Sequence, residues 1–218
     1  MERQNAFLRP DSELLERINA FSTPELCDGM EPFKAMHYEV KPWVGEKIVG
    51  PAFTVHVPMG SSDLVAQAIE EAQPGDVLVL AGQGNCYGSL WGDFKSFCAK
   101  RRRLAGAVID GAFRDLSGCK EVGFPVFARA VVCGSVKKTA YGALNVTVNC
   151  AGTSVSPGDI IVGDENGVCV IPLSEVEEVL TRAGEKAEAQ REKERMMREY
   201  AELDWKCQEM CSREIPKI

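Results

Sequence analysis

The sequence predicts an α/β protein with one core, because strand-like and helix-like segments alternate along it. Continuous apolar runs at 77–81, 104–109 and 160–162 have the length and the composition of buried strands. Segments between them carry apolar residues at helical spacing. No linker rich in glycine, serine or proline divides the 218 residues, so we expect one large domain.

Two helices are expected near the N-terminus. Apolar residues recur at helical spacing from 14 to 21, after a Pro-Asp-Ser sequence that is typical of a helix start. Thr23 followed by Pro24 predicts an N-cap with proline at the first helical position, which opens a second short helix. Residues 31–46 show no clean period, and no element is predicted there.

The first strands of the predicted sheet follow. Residues 48–57 are rich in β-forming residues, and Gly50 with Pro51 indicates an edge strand or a bulged start. Residues 61–63 are typical of another helix start, and a Pro-Gly-Asp turn then leads into the strand at 77–81.

The middle of the chain interleaves strands and short helices. A glycine-rich stretch at 82–92 is expected to be a loop. After it the pattern predicts, in order, a helix at 93–103, a strand at 104–109, a helix at 115–122 and a strand at 126–132.

The C-terminal third combines strands with one long helix. Residues 144–150 alternate in the manner of a half-buried strand, and Asn166-Gly167 predicts a hairpin in which both turn residues have positive φ. Ser174 and Glu177 match a capping box for the last helix. Its apolar stripe ends near 184, and the charged residues at 184–206 predict a helix that extends beyond the core or packs on a neighbour.

The composition narrows the classes of function. Lys and Arg number 25 against 32 Asp and Glu, which gives a net charge of −7. Non-specific nucleic-acid binding needs a basic surface, so we expect no nucleic-acid partner. Apolar residues make up 45% and charged residues 26%, which is typical of a globular domain and argues against intrinsic disorder.

Nine cysteines are the one unusual feature of the composition. They are scattered, without a Cys-x-x-Cys pair, and only His37 and His56 could complete a zinc site. We therefore expect reduced thiols in a cytoplasmic protein. The N-terminus lacks the apolar run of a signal peptide, and no stretch reaches the roughly 20 apolar residues of a bilayer span, so no membrane association is expected.

The glycine-rich stretch is the first candidate for chemistry. Gly82 and Gly84 begin a dinucleotide-binding fingerprint, but Tyr87 stands where its third glycine is required, which disfavours nucleotide binding. A helix that begins near Gly92 and Asp93 would instead form an anion site, because free amides and the helix dipole point at the ligand. A tight loop without a ligand is the alternative.

The second candidate is the segment 110–115, Asp-Gly-Ala-Phe-Arg-Asp, at the end of an apolar strand. Ligands of open α/β sheets usually bind there, although an Arg-Asp pair can also be a solvated turn or a helix N-cap. Asp93 precedes Arg114 by 21 positions, and both follow strands that could be neighbours. Together with Asp115 they would bring two carboxylates and a guanidinium to one mouth of the sheet.

Residues 88–93 and 104–115 resemble the regulator-of-ribonuclease-activity-A-like (RraA-like) family. Its signature is an acidic residue, twenty residues and then Arg-Asp, which Asp93 and Arg114-Asp115 match. Residues 157–168 resemble the closing hairpin of the family. The family includes the class II 4-hydroxy-4-methyl-2-oxoglutarate / 4-carboxy-4-hydroxy-2-oxoadipate aldolases.

For the fold, the resemblance implies a single-domain layered sandwich with a mixed sheet, of the swivelling β/β/α type, and a long C-terminal helix. It divides the chain into an aldolase domain at 1–190 and a charged helical extension at 191–218. Members of the family form trimers or hexamers with sites between subunits, so the resemblance also implies a homotrimer or homohexamer.

For the site, the resemblance implies a role for each matching position. Asp115 would ligate a divalent metal cation, Mg²⁺ above all, with Mn²⁺ or Co²⁺ as alternatives. Arg114 would contact the keto and carboxylate oxygens of a small 2-keto acid, and Asp93 would lie on metal-bound water. The backbone amides that would hold the substrate carboxylate are those around Gly92, Asp93, Phe94 and Lys95. The family often has aliphatic residues at 94 and 95, so the pocket of this chain is expected to differ in shape.

The implied activity is metal-dependent retro-aldol cleavage of a 4-hydroxy-2-oxo-dicarboxylate to pyruvate, with oxaloacetate decarboxylation by the same enolate route. The residue types suit this chemistry, because a hard cation and a guanidinium both stabilise an enolate oxygen. Two other functions stay open: a protein-binding regulator that inhibits a ribonuclease, and methyl transfer, which the incomplete fingerprint disfavours. Lys95 as a Schiff-base lysine is a further alternative.

Overall fold

The computed structural model describes residues 7–58, 63–136 and 141–200. The helices in these ranges are α1 (Ser12–Asn19), α2 (Thr23–Gly29), α3 (Asp63–Glu71), α4 (Asp93–Arg101), α5 (Leu116–Val122) and α6 (Val176–Tyr200), the last preceded by a 3₁₀ turn (Leu173–Glu175). The strands are β1 (Lys41–Val44), β2 (Ile48–His56), β3 (Val77–Trp91), β4 (Gly106–Phe113), β5 (Val126–Val131), β6 (Ala143–Leu144), β7 (Val148–Cys150), β8 (Thr153–Val155), β9 (Ile160–Asp164) and β10 (Gly167–Ile171).

Most of the strands form one mixed sheet in the order β1-β5-β4-β3-β2-β9-β10, with β6 beside the end of β2. The four strands from β2 to β5 run parallel, and β1, β9 and β10 are antiparallel to their neighbours. β1 and β10 stand at opposite ends of this order yet approach each other, so the sheet nearly closes. The predicted mixed α/β architecture, with its layered sheet and long C-terminal helix, is confirmed.

Alternate residues of the strands fill separate apolar clusters on the two faces of the sheet. Val77 and Val79 of β3 pack into the space that the sheet nearly encloses. Leu78 and Leu80 pack on the other face against α3, α4 and α5. Val162 of β9 packs with α1, α2 and α6. Helices therefore cover the outer face, and one end of the parallel strands is left for the loops that lead into α4 and α5.

The prediction of a loop in the glycine-rich stretch is wrong, because this stretch continues β3 as far as Trp91. The pairing with β4 shifts register between Leu80 and Asn85 and again between Asn85 and Ser89, so the strand bulges outward while it stays in the sheet. Gln83 and Gly84 have positive φ at the first bulge. The helix that follows was predicted correctly and ends at 101 rather than 103.

The predicted edge character of the strand start at Gly50 and Pro51 is confirmed in part, because β2 as a whole lies between β3 and β9 but its first four residues pair on one side only. Residues 48–51 pair with β9, and residues 52–56 pair with β3. Pro51 therefore lies just before the pairing with β3 begins. Its lack of an N–H group costs no hydrogen bond to β3 there.

Two predicted helix caps are placed differently in the structure. Ser22, not Thr23, caps α2 in a capping box with Glu25, while Pro24 occupies the first turn as predicted. Ser174 lies in the 3₁₀ turn before α6, and the Glu177 carboxylate pairs with Arg17, so the predicted box between Ser174 and Glu177 is wrong.

The C-terminal hairpin is confirmed with a different turn. Asp164 pairs with Gly167, so the two turn residues are Glu165 and Asn166. Neither of them has a positive φ, whereas Gly167 does. The Asn166 backbone amide donates to the Asp164 carboxylate at 2.9 Å. This side-chain bond stabilises the turn, which therefore does not need two residues with positive φ.

The other strand predictions are confirmed in part. The predicted strand at 144–150 is broken into β6 and β7, since Asn145 has a φ of 56°. The short strands β1 and β8 were not predicted. The apolar stripe of α6 ends after Ala183 as expected, and the helix continues through 190. The helix start at 61–62 and the charged residues after 200 lie outside the described residues.

The structure also bears on a membrane location. Among the described residues, no helix combines the length and the apolar composition that are needed to cross a bilayer.

Candidate active site

The candidate site is built from two neighbouring strand–helix junctions. β3 ends at Trp91 and Gly92 caps α4, while β4 ends at Phe113 and Asp115 caps α5. β3 and β4 are adjacent and parallel, so both junctions lie at the same edge of the sheet. The expectation that Asp93 and Arg114 follow neighbouring strands is therefore correct.

One cavity of about 700 Å³ lies at this edge. Every residue that the resemblance assigned to the site lines it: Gly92, Asp93, Phe94, Lys95, Arg114 and Asp115. Sequence reasoning missed the opposite wall, which α3 supplies through Asp63, Ala66 and Glu70. Their spacing of three and four marks one face of a helix and was the available signal. The structure thus brings the predicted residues together, and their chemical roles remain a proposal.

Asp115 is held in an unusual conformation at the start of α5. Its φ of 58° and ψ of 43° are left-handed, and its side chain makes no capping bond to the helix. Asp tolerates this region better than most residues. The Asp115 Oδ2 atom lies 3.1 Å from Arg114 Nε, and the two side chains are 42% and 45% exposed. A carboxylate and a guanidinium therefore stand side by side with room for a ligand.

Two glycines make space for the two carboxylates. A Cβ atom on Gly92 would lie 3.0 Å from Asp115 Oδ2, and a Cβ atom on Gly118 of α5 would lie 2.7 Å from Asp93 Oδ2. Each acidic side chain therefore lies against a glycine of the other junction. A larger residue at either glycine would have to displace a carboxylate.

The first turn of α4 offers backbone amides to the same cavity. The first hydrogen bond within the helix runs from the Ser96 amide to the Gly92 carbonyl at 3.0 Å, so the three preceding amides have no role in the helix ladder. The Phe94 amide contacts Asp93 Oδ1 at 2.6 Å. Such a helix start attracts anions through its amides and its dipole. Lys95 Nζ donates to the Leu90 carbonyl at 2.8 Å, so its ammonium is held back toward β3.

A buried polar cluster supports the site from behind, and sequence reasoning did not predict it. Trp91 Nε1 donates to Ser96 Oγ at 2.8 Å, and Ser96 Oγ lies 3.6 Å from Cys119 Sγ. Burial raises the pKa of the Cys119 thiol, and the negative charges of Asp93 and Asp115 raise it further. The hydrogen bond from Ser96 lowers this pKa, but its effect is smaller than that of burial. The thiol therefore stays protonated near neutral pH.

The donor set suits a hard cation. Asp115 and Asp93 supply carboxylate oxygens, and Mg²⁺ is usually bound by one or two carboxylates together with waters and substrate oxygens. Within the ranges that the structure describes, no group of three His, Cys, Asp or Glu side chains forms a closed metal cage. The residues therefore fit a magnesium-type site that keeps several water or substrate ligands, and they do not fit a closed zinc site.

Asp110, which the sequence placed in the same segment as Arg114 and Asp115, belongs to a different cavity of about 450 Å³. Arg129 Nε donates to Asp110 Oδ1 at 2.5 Å, and Arg129 Nη1 donates to Glu39 Oε2 at 2.6 Å. Burial opposes the charge of Arg129, but Asp110 and Glu39 outweigh it and raise the pKa of the guanidinium. Asp110 is thus committed to an ion pair rather than to the site.

Fold and site together define a class of protein: a nearly closed mixed sheet with an acidic residue and an Arg-Asp pair at two adjacent strand–helix junctions. The chain belongs to the RraA-like family, since the family model described as Aldolase/RraA matches residues 23–170. The resemblance read from the sequence is therefore confirmed.

Individual relatives agree with this assignment. A protein of Halalkalibacterium halodurans named "putative 4-hydroxy-4-methyl-2-oxoglutarate aldolase" is 38% identical over 175 residues, which cover 80% of this chain and 83% of that protein. The crystal structure of Streptomyces coelicolor RraAS2 is described in its title as an unusual member of the RNase ES inhibitor RraA protein family. It has a TM-score of 0.77 at 28% identity, and the match covers 88% of this chain and 100% of that one. The RNA-processing inhibitor RraA of Thermus thermophilis has a TM-score of 0.65 at 27% identity, over 70% of this chain and 93% of that one.

Proposed function

We propose that the protein is a carbon–carbon lyase that cleaves a 4-hydroxy-2-oxo-dicarboxylate by a retro-aldol reaction and releases pyruvate. The observation that carries the proposal is the half-exposed Arg114–Asp115 pair at the cavity that the first turn of α4 also lines. The names of the relatives support the same class of reaction. Decarboxylation of oxaloacetate follows as a side activity, because it passes through the same pyruvate enolate.

Each part of the cavity has a task in this reaction. The first turn of α4 binds the carboxylate of the 2-oxo acid through its amides. Arg114 lies where its guanidinium can contact the keto oxygen and oppose the negative charge that develops there as the bond breaks. Asp93, at the same helix start, is placed to hold a water beside the substrate and to take or return a proton.

A divalent cation completes the proposed site, with Asp115 as its protein ligand. Mg²⁺ suits the carboxylate oxygens best, and Mn²⁺ or Co²⁺ could replace it. The cation would supply Lewis-acid stabilisation of the enolate oxygen. Asp115 holds its carboxylate beside Arg114 in the left-handed conformation, and Gly92, which has no side chain, leaves room for that carboxylate.

The test measures pyruvate released from 4-hydroxy-4-methyl-2-oxoglutarate and from oxaloacetate, with magnesium and after chelation by EDTA. We expect turnover with magnesium, at least about 100-fold less after chelation, and a comparable loss in Asp115→Asn with magnesium present. Equal rates for the wild type and Asp115→Asn would rule the proposal out. A panel of other 2-oxo acids under the same conditions identifies the preferred substrate.

A second candidate function is regulation of a ribonuclease by direct binding. It is favoured by the titles of two structural neighbours, which describe an RNase inhibitor family and an RNA-processing inhibitor. The acidic net charge of −7 is compatible with docking on a basic protein. Inhibition of a purified ribonuclease by Asp115→Asn as strong as by the wild type, in a protein without lyase turnover, would favour this function over the first.

We also propose that the protein acts as a homotrimer or homohexamer with its sites near subunit contacts. The charged half of α6 supports this, because its described side chains after Ala183 are not buried and carry both signs of charge, so this surface could pack on another subunit. Light scattering checks the mass, and a monomer at assay concentration would contradict the proposal.

A further inference from the structure

The Arg114–Asp115 segment is held by two backbone hydrogen bonds and by one bond from a buried side chain. The Arg114 amide donates to the Trp91 carbonyl at 3.1 Å, and the Cys119 amide donates to the Asp115 carbonyl at 2.9 Å. The Cys119 thiol donates to the Arg114 carbonyl at 3.6 Å. Cys119 therefore binds the carbonyls of both site residues, one through its amide and the other through its side chain.

These contacts close into a ring when the cluster behind the site is added. Trp91 Nε1 donates to Ser96 Oγ, Ser96 Oγ donates to Cys119 Sγ, and Cys119 Sγ donates to the Arg114 carbonyl. The Arg114 amide then returns to the Trp91 carbonyl. The ring joins the end of β3, the first turn of α4 and the first turn of α5. Its side-chain members are 2%, 0% and 0% exposed, in the order Trp91, Ser96, Cys119.

All the donors in the side-chain part of the ring point the same way. Such a chain is cooperative, because each donor strengthens the next in a buried, low-dielectric setting. The strained left-handed conformation of Asp115 needs support of this kind, since a non-glycine residue holds it only when the surroundings over-determine it.

We propose that Trp91, Ser96 and Cys119 form a positioning ring that fixes the Arg114–Asp115 peptide and so aims both side chains into the cavity. None of the three acts on substrate through its side-chain polar atom, because those atoms are committed to one another. The inference rests on the proposed lyase function for its kinetic consequence, but its structural consequence holds for any function of the Arg114–Asp115 pair.

The kinetic test uses Trp91→Phe, Ser96→Ala and Cys119→Ala, with pyruvate release in magnesium as the assay. We expect each to lower kcat/KM about tenfold, mainly through kcat, and the double variant Ser96→Ala/Cys119→Ala to lose no more than about twice the larger single loss. Cys119→Ser keeps a donor and an acceptor and is expected to recover most of the activity. Losses that multiply in the double variant would contradict a ring.

The matched control is Cys150→Ala, which removes an equally buried thiol from the enclosed face of the sheet. It should lower stability by a similar amount and leave kcat/KM within about twofold of the wild type. If Cys150→Ala and Cys119→Ala reduce activity equally, the effect of Cys119 is loss of stability and the proposal fails.

A second readout separates this inference from the lyase proposal. Hydrogen–deuterium exchange of the peptide that spans 113–117 is measured on the ligand-free protein, so it needs no turnover. We expect exchange in Cys119→Ala and Ser96→Ala to be at least about fivefold faster than in the wild type and in Cys150→Ala. Unchanged exchange overturns the ring. Faster exchange in these two variants, combined with a wild type that shows no lyase turnover, would keep the ring and reject only the proposed reaction.

Discussion

Two of the Arg–Asp pairs among the described residues involve an aspartate on β4 or directly after it, and these two pairs differ in burial and in role. Arg129 and Asp110 are 16% and 6% exposed, and Glu39 completes their network. Arg114 and Asp115 are 45% and 42% exposed and line a cavity large enough for a small-molecule substrate. The same two residue types thus form a closed structural ion pair in one place and an open pair in the other.

The difference follows from position in the strand. Asp110 lies within β4, where alternation turns its side chain to the enclosed face of the sheet, and Arg129 of β5 reaches it on that face. Arg114 and Asp115 come after the last residue of β4, where the chain turns into a helix and no strand covers them. Charged groups that are left half-exposed at a cavity are free to bind a ligand, whereas a buried pair is committed to its partner.

Replacing each arginine by alanine separates the two roles most strongly. Arg114→Ala should lower kcat/KM for pyruvate release by about 100-fold or more, because it removes the cation beside the reacting oxygen, and it should change the free energy of unfolding by less than about 0.5 kcal/mol. Enzyme kinetics and urea unfolding measure the two quantities.

Arg129→Ala is expected to show the reverse. It leaves Asp110 buried without its partner, which should lower the free energy of unfolding by about 3 kcal/mol. The folded fraction should keep kcat/KM within about threefold of the wild type. A loss of activity in folded Arg129→Ala as large as that in Arg114→Ala would show that both pairs belong to the site.

A smaller effect is expected from the glycine that seats Asp93. Gly118→Ala places a methyl group 2.7 Å from Asp93 Oδ2, so the carboxylate must move and kcat/KM should fall about tenfold. Gly184→Ala in α6 is the matched control, since its new methyl group finds its nearest neighbour at 3.9 Å. Both changes favour the helix by up to about 1 kcal/mol, so only the steric contact differs. Equal activity of the two variants would mean that the position of Asp93 does not matter.

The smallest effect concerns a third carboxylate, Asp164, which is buried like Asp110 but bonded to neutral donors. Burial raises its pKa, but hydrogen bonds from Thr23 and Asn166 outweigh burial, and the pKa is lowered overall. A lowered pKa stabilises the fold above the unfolded value of about 3.9, and this stabilisation is lost as the pH falls through the folded value.

Asp164→Asn should therefore reduce the free energy of unfolding at pH 7 by about 1–3 kcal/mol. The difference from the wild type should shrink as the pH falls below about 4, because the carboxylate of the unfolded chain then binds a proton before the carboxylate of the folded protein does. Denaturant unfolding at a series of pH values measures it. A difference that stays constant down to pH 2 would contradict the assignment.

The sequence allowed the parallel core and the open pair to be predicted, because both depend on local patterns. Apolar runs marked the buried strands, and residues directly after a strand end lie at the sheet edge whatever their partners are. β1 and β8 were not predicted because they have only 4 and 3 residues, which is too short for a periodic pattern to be recognised. The grouping of Asp110 with Arg114 failed because adjacency in sequence was given more weight than the alternation of side chains along β4.

The support of the site could not be predicted, because it depends on contacts between separate elements. Nothing local links Asp93 to Gly118, or Ser96 to Cys119, which are 25 and 23 positions apart. Their contact requires α4 and α5 to pack side by side at a defined register. Cysteine within a helix is typical of a small packing residue, so its bond to the Arg114 carbonyl carried no sequence signal.

We propose that Asp115, in the open pair, holds a divalent cation, whereas Asp110, in the closed pair, does not. Electron paramagnetic resonance of Mn²⁺ titrated into the protein with pyruvate present tests it directly and needs no knowledge of the substrate. We expect folded Asp110→Asn to bind Mn²⁺ as the wild type does, and Asp115→Asn to bind it at least about 100-fold more weakly. Binding by Asp115→Asn as tight as that of the wild type would contradict it.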